Sequence, residues 1–525
     1  MPSKDHSRIG RREFVHRSVA ATSVTGLAGS DLFAEQRPQF DVSIKEPFDS
    51  SVIPPYSGDH SRVYRYIEKS FDEHLENIRR WLRQPSESTS GRGIEEMARL
   101  LQNDLRGLGF QEAEIVQTAG HPGVWGYYDA GAKQTLGLYF MYDVVPVEPQ
   151  QWRVEPYQAS MVDLEIGEVI MDRGAMNQKG PERAFLNAVE AILATEGELP
   201  VNLMIAAEGE EEIGSPHYPE IIDRYGDRLR DCLGIICPHN SQNSRAAATL
   251  SLGMKGWIYF ELTAEGDSQG GPAKDTIGGW YKAIVDSPAW RLVQALATLT
   301  SSDGNTIAVP GYYDAIRPIN EEEQQLIDGW NGELSQYAGL GVEQWIDGMS
   351  DREAFIRFLF DTTMNINGIS AGYIGPGAKT IMAPKVTAKL DSTLVPNQRP
   401  EKALALIREH LDREGFRDIK VRTLAAYPPS QTSVHAPLVQ SVLGVYNKYD
   451  ISTSVWPRFA ATAPFYQFTE RLDLPMLLAG LGHGSNLHAP DEYMLVRGDP
   501  SSGIAGLVEI ENAYVDMLYA LGHTI

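Results

Sequence analysis

Three short apolar runs, TLGLYFMYDVV from residue 135, VNLMIAA from 201 and LGIIC from 233, are separated by stretches of helical periodicity. Runs of that length between turn signals read as strands buried on both faces. The intervening ERAFLNAVEAILA and a segment from about 216 read as helices, as does GIEEMARLLQNDLRGLGF upstream, with Ile94, Met97, Leu100, Leu101 and Leu105 at helical spacing. Strand, helix, strand, helix, strand is the pattern of a parallel sheet flanked by helices, an α/β fold. Sites in such sheets lie where the strands' carboxyl ends turn into loops. Those loops read MYDVVP, AAEGEEEIGS and CPHNSQN.

A chain of 525 residues outgrows a single core, which stops enlarging near roughly 250 to 300 residues. After about residue 246 the texture changes to SLGMKGWIYFELTA, the helix SPAWRLVQALATL, an irregular middle rich in Glu and Trp, TIMAPKVTAKLDSTLV, the helix EKALALIREHL and the strand DIKVRTLAA. The expected organisation is a catalytic domain over 35–246 and 431–525, interrupted by an inserted α+β domain at 247–430. The net charge of -24 repels nucleic acid and anionic lipid, which need clustered Lys and Arg.

Residues 1–34 carry Arg11 and Arg12 ahead of Phe14 and a weakly apolar Ala/Ser/Gly stretch, the order of a twin-arginine export signal. An uninterrupted stretch of roughly 20 apolar residues, needed to span a bilayer, is absent from the sequence. The expectation is a periplasmic or secreted protein. Cys232 and Cys237, in an apolar setting, read as buried small hydrophobes.

The motifs resemble those of the dinuclear-zinc metallopeptidase family that includes carnosinase-type dipeptidases, glutamate carboxypeptidase, aminoacylase and succinyl-diaminopimelate desuccinylase. MYDVVPVEPQQW is similar to HxDVVPV…W, DRGAMNQKGP to GRGxxDxKGP, and EGEEEIGS and HAPDEY to the catalytic pair and the last histidine loop. DTIGGWYKAIVDSP, STLVPNQRPEKA and PRFAATAP match three further motifs in order. The resemblance places the first zinc-binding His on Met141, the bridging Asp on Asn177, the Glu on Glu212, the second Asp on His239 and the last His on His488. It places the catalytic base on Glu211 and, on Asp143, the Asp that orients the first His. The insert's transition-state His falls on Ile277, the carboxylate-gripping Arg on Thr393, and the substrate turn on Arg458, Phe459, Ala460, Ala461 and Thr462.

Two dications about 3.5 Å apart repel by roughly 19 kcal/mol at an effective dielectric of 20, so a two-zinc site needs its anionic bridge and flanking carboxylates. One carboxylate survives among the five ligand positions, and a full two-zinc site is not expected. Glu212 and His488, joined by His239 and with Asn177 as a weak ligand or hydrogen-bonding partner, would suit one divalent transition metal, zinc in the first instance. Glu211 would then serve as the base. Taken by residue type alone, His239 reads equally as a surface His, Met141 as core, and His483 competes with His488.

The reading implied is a metal-dependent hydrolase of an amide-like bond in a small molecule, neutral or aromatic rather than zwitterionic. Two alternatives stay open: a metal-free binding protein on the same fold, and a non-hydrolytic isomerase or lyase using Glu211 as a proton shuttle. By the same resemblance the insert would pair two subunits in a homodimer.

Overall fold

The computed structural model describes residues 37–523 apart from 269, 331, 333 and 335–341. The twin-arginine pattern lies outside the described residues. A six-stranded sheet forms the centre, ordered Glu112–Val116, Gly123–Tyr128, Asn202–Glu208, Thr135–Met141, Ile235–Pro238, Met476–Ala479. The last four strands run parallel to one another, and the first two are added antiparallel at one edge.

Side chains of Thr135–Met141 alternate between two cores. Leu136, Leu138 and Phe140 join the cluster with the helices Phe71–Arg83, Lys179–Glu196 and Leu507–Gly522, while Tyr139 and Met141 face the cluster with the helix Tyr218–Leu229. Helices cover both faces, which is why the strand is buried at every position instead of at alternate ones. The strand Met476–Ala479 shows that the chain beyond the insert returns to complete this sheet.

The insert is built on a second, antiparallel sheet, ordered Asn365–Ser370, Lys385–Leu394, Met254–Glu265, Lys420–Tyr427. Ile258, Phe260, Leu262 and Ala264 are buried at every second position against the helices Pro288–Leu296 and Pro400–Arg413, leaving the intervening residues partly exposed. This is the α+β arrangement.

The run SLGMKGWIYFELTA holds one strand, Met254–Glu265, and the strand Ala248–Ser251 just before it pairs in parallel with Thr453–Trp456. One part differs from the sequence reading. The irregular middle contains the helices Glu321–Asp328 and Asp351–Phe360, each started by a capping box, Asn320 with Glu323 and Ser350 with Glu353. Ile327, Phe355 and Leu359 of these helices pack round Trp330 and Trp456.

A small four-stranded sheet brings two loops together. Gly167–Met171 pairs antiparallel with Tyr493–Gly498, with Met171 opposite Tyr493. That register sets the loop from Asp172 to Asn177 beside the loop from His488 to Glu492. No helix among the described residues is long and apolar enough to cross a membrane.

Candidate active site

Met141 and Glu208 end adjacent parallel strands in register, and Pro238 and Ala479 end the next two. The loops that follow line a cavity of about 450 Å³, whose walls include Glu211, Asn177, His239, His488 and Thr462. The expected location at the strands' carboxyl ends is where it opens.

Asp143, fully buried, accepts the backbone N–H of Glu211 at 3.1 Å on Oδ1 and that of Glu212 at 3.0 Å on Oδ2. It thereby sets the direction of the turn Glu211–Ile213. Burial, reinforced by Glu212, pushes its carboxyl up to about 7. Burial, with Glu212, Asp143 and Glu208 close by, pushes the Glu211 carboxyl well above the ordinary carboxylate range. Glu211 therefore holds its proton more tightly than an ordinary glutamate does.

Glu212, Asn177 and His488 converge. Glu212 Oε2 lies 3.1 Å from His488 Nε2, and the Asn177 side-chain nitrogen donates to Glu212 Oε1 at 2.7 Å. The hydrogen bond to Glu212 holds His488 above the ordinary imidazole value. Both ring nitrogens of the competing His483 are engaged, with the Gln242 carbonyl at 2.9 Å and the Tyr493 hydroxyl at 3.2 Å.

His239 lines the same cavity but stands apart from that group. Its Nδ1 lies 3.3 Å from Gln178 Oε1, which leaves Nε2 free, and burial lowers it to about 4, so the ring is neutral. Among the described residues no group of three or more His, Cys, Asp and Glu side chains is disposed to hold a metal. The two-His, one-Glu set expected from the sequence is thus not gathered here.

Three expected substrate contacts lie elsewhere. Arg458 is fully buried and spends its guanidinium on Glu323 and on Gln431 Oε1 at 2.6 Å, over the Phe360 ring. Desolvating an Arg demands such an internal partner, and Glu323 supplies it. Thr393 shares a 2.8 Å hydroxyl contact with Thr363 on the insert's sheet, and Ile277 sits in a two-residue strand paired with Ile381–Met382. Neither lines the cavity. Thr462 does line it, with its hydroxyl on Tyr427.

Arg173 and Glu492 were missed. Glu492, fully buried, accepts the backbone N–H groups of Met176 and Asn177 on Oε1, both at 2.9 Å, and pairs through Oε2 with Arg173 Nη1 at 2.7 Å. Arg173 Nη2 donates to the His488 carbonyl at 3.4 Å. One ion pair therefore fastens the loops that carry Asn177 and His488. Both residues stand inside the DRGAMN and HAPDEY motifs, which was the available signal.

Residues 137–509 match the Peptidase family M20/M25/M40, and the chain belongs to that family. It is 27% identical over 440 residues to Beta-Ala-His dipeptidase of Rattus norvegicus, covering 75% of this chain and 84% of the rat protein. It is 27% identical over 373 residues to Cys-Gly metallodipeptidase DUG1 of Candida albicans, covering 67% of this chain and 75% of the yeast protein. Among solved structures, the M20 family metallo-carboxypeptidase Sso-CP2 from Sulfolobus solfataricus superposes with a TM-score of 0.76 at 29% identity, over 86% of this chain and 99% of that one. Human carnosine dipeptidase 1 superposes with a TM-score of 0.73 at 22% identity, over 88% and 99%, a likeness of fold. The relatives are metallodipeptidases, which supports a peptidase-type hydrolase.

The family's metals can be tested against the donors. Met141 is a buried thioether and Asn177 a neutral amide that donates toward Glu212, so the anionic bridge two dications require is missing. The set does not fit a zinc pair. It offers one ion the adjacent Glu212 and His488, with Asn177 beside both.

Proposed function

We propose that the chain is a metal-dependent hydrolase of an amide-like bond in a small, uncharged molecule, acting from a mononuclear centre. The observation that carries this is Glu211 on the cavity wall with its backbone held by Asp143, next in the chain to a Glu212 that touches His488. Glu212, His488 and the carboxamide oxygen of Asn177 would hold one divalent transition ion, zinc being suited to such donors. Such an ion, when bound, polarises an amide carbonyl and acidifies water. A cation there would also draw the neighbouring Glu211 toward its ionised form, the form that accepts a proton from the attacking water and returns it to the leaving amine. Among the described residues lining the cavity there is no Lys or Arg, and with Arg458 turned inward no cation is left to grip a substrate carboxylate.

The test is the metal content of the mature protein, purified without chelator, alongside amine release from a panel of blocked amides and free dipeptides. About one ion per chain, lost in Glu212→Ala and His488→Ala, with turnover of uncharged amides, is expected. No ion after reconstitution, or efficient turnover of zwitterionic dipeptides, would overturn it.

Dimerisation and export belong to the same reading. Asn365–Ser370 is the outer strand of the insert's sheet and is exposed throughout, with Ile366 and Ile369 at 47% and 46%. An unpaired edge of that kind suits antiparallel pairing with a second copy. Sedimentation should report a dimer that Ile369→Lys dissociates. Cell fractionation should find the protein outside the cytoplasm unless Arg11 and Arg12 are both replaced by Lys.

A further inference from the structure

One wall of the cavity has a chemistry that the hydrolytic residues do not use. In the strand Ala248–Ser251, Ala248 and Leu250 are buried in the main core, so alternation turns Thr249 and Ser251 to the opposite side, where both line the cavity. Parallel pairing fixes their height, with Ser251 opposite Trp456. Among the described residues neither hydroxyl has a protein hydrogen-bond partner. Asn240, just beyond the strand Ile235–Pro238, also borders the cavity, but its carboxamide atoms are buried away from it. Phe459, 37% exposed, presents the apolar surface on the same cavity.

Buried polar groups without partners are costly, and a wholly apolar ligand would seal both hydroxyls away from water unpaired. An anionic ligand would find no Lys or Arg on the lining. What pairs with two hydroxyls, each both donor and acceptor, while offering an apolar face to a phenyl ring, is a polyhydroxylated ring. We propose that this wall is a sugar-binding subsite and that the amide cut beside Glu211 is the N-acyl group of an amino sugar. The ligand assignment stands on the wall; the reaction rests on the hydrolase reading above. Hydrolysis breaks the amide C–N bond, with the water oxygen going to the acyl carbon and a water proton to the nitrogen, and gives a carboxylic acid and the free amino sugar.

The experiment is calorimetric titration of the full mature chain carrying Glu211→Gln with N-acetyl-D-glucosamine, and with N-acetyl-L-phenylalaninamide as the apolar comparison. Saturable binding of the sugar is expected, weakened about tenfold or more by Thr249→Val combined with Ser251→Ala, near-isosteric changes that keep the strand. The subsite is overturned if the phenylalanine amide binds and the sugar does not, if neither binds, or if sugar binding ignores those substitutions. Wild type loaded with metal is then assayed for glucosamine release. Sugar binding without release from any N-acyl sugar overturns the assignment of the cut amide, and extends to the hydrolase reading only if no other amide is cut. Turnover of other amides without sugar binding sinks the subsite and leaves that reading standing.

Discussion

Asn177 donates its side-chain N–H to Glu212 Oε1 at 2.7 Å, at a position where a carboxylate would repel that same oxygen. The amide lets Glu212 and His488 keep their contact with no cation between them. Replacing Asn177 by Asp should destabilise the metal-free protein by about 1 to 3 kcal/mol, because two carboxylates then face each other. Added zinc should restore the loss, and melting temperature with and without zinc measures both effects.

Glu211→Gln keeps the shape of the side chain and removes its proton transfer. Turnover of the amide found in the substrate panel should fall by about 10²- to 10⁴-fold with the fold unchanged, as read from amine release and circular dichroism. Unchanged turnover would take Glu211 out of the mechanism.

Glu492→Gln leaves an acceptor for the Met176 and Asn177 amides but no charge for Arg173. A buried guanidinium that loses its partner costs about 3 to 5 kcal/mol. Metal affinity should fall about 10- to 100-fold as both loops loosen. Urea unfolding and metal titration report the two losses separately.

Arg458→Met tests whether that side chain grips substrate. Stability should fall toward the lower end of about 3 to 5 kcal/mol, since Glu323 keeps its bond with Arg317. The folded fraction should keep its KM, measured by steady-state kinetics below the unfolding transition.

Lys255 is buried with its ammonium on the Asp361 carbonyl at 2.7 Å, and burial lowers it to about 7 from 10.5. Between those values the unfolded chain carries the proton and the folded chain does not, so folding gains stability as pH rises. Relative to Lys255→Met, the wild type should gain about 1.4 kcal/mol per pH unit above pH 7, read from urea midpoints at pH 7 and 9.

Periodicity made the frame legible. Thr135–Met141 is buried at every position because two cores claim its alternate faces, and Met254–Glu265 alternates because one core claims one face. The helices Glu321–Asp328 and Asp351–Phe360 escaped because each is short and its start is marked by a cap instead of a long apolar stripe. At the site, motif position placed Glu211, Glu212, Asn177 and His488 on one loop cluster. It could not give the direction in which Arg458 points, since an Arg two residues after Trp456 reads the same whether it faces a ligand or Glu323. Glu492 was illegible for a related reason: its partner Arg173 lies 319 residues away, and only the register of Met171 on Tyr493 joins them.

The carboxylate that anchors the Asn177 backbone comes 315 residues later in the chain. At about 5 to 20 residues per second, translation leaves that loop without its fastening for roughly 15 to 60 s. An ion held by Glu212 and His488 would therefore be selected only once residue 492 has been made and has folded back onto Arg173 and Asn177.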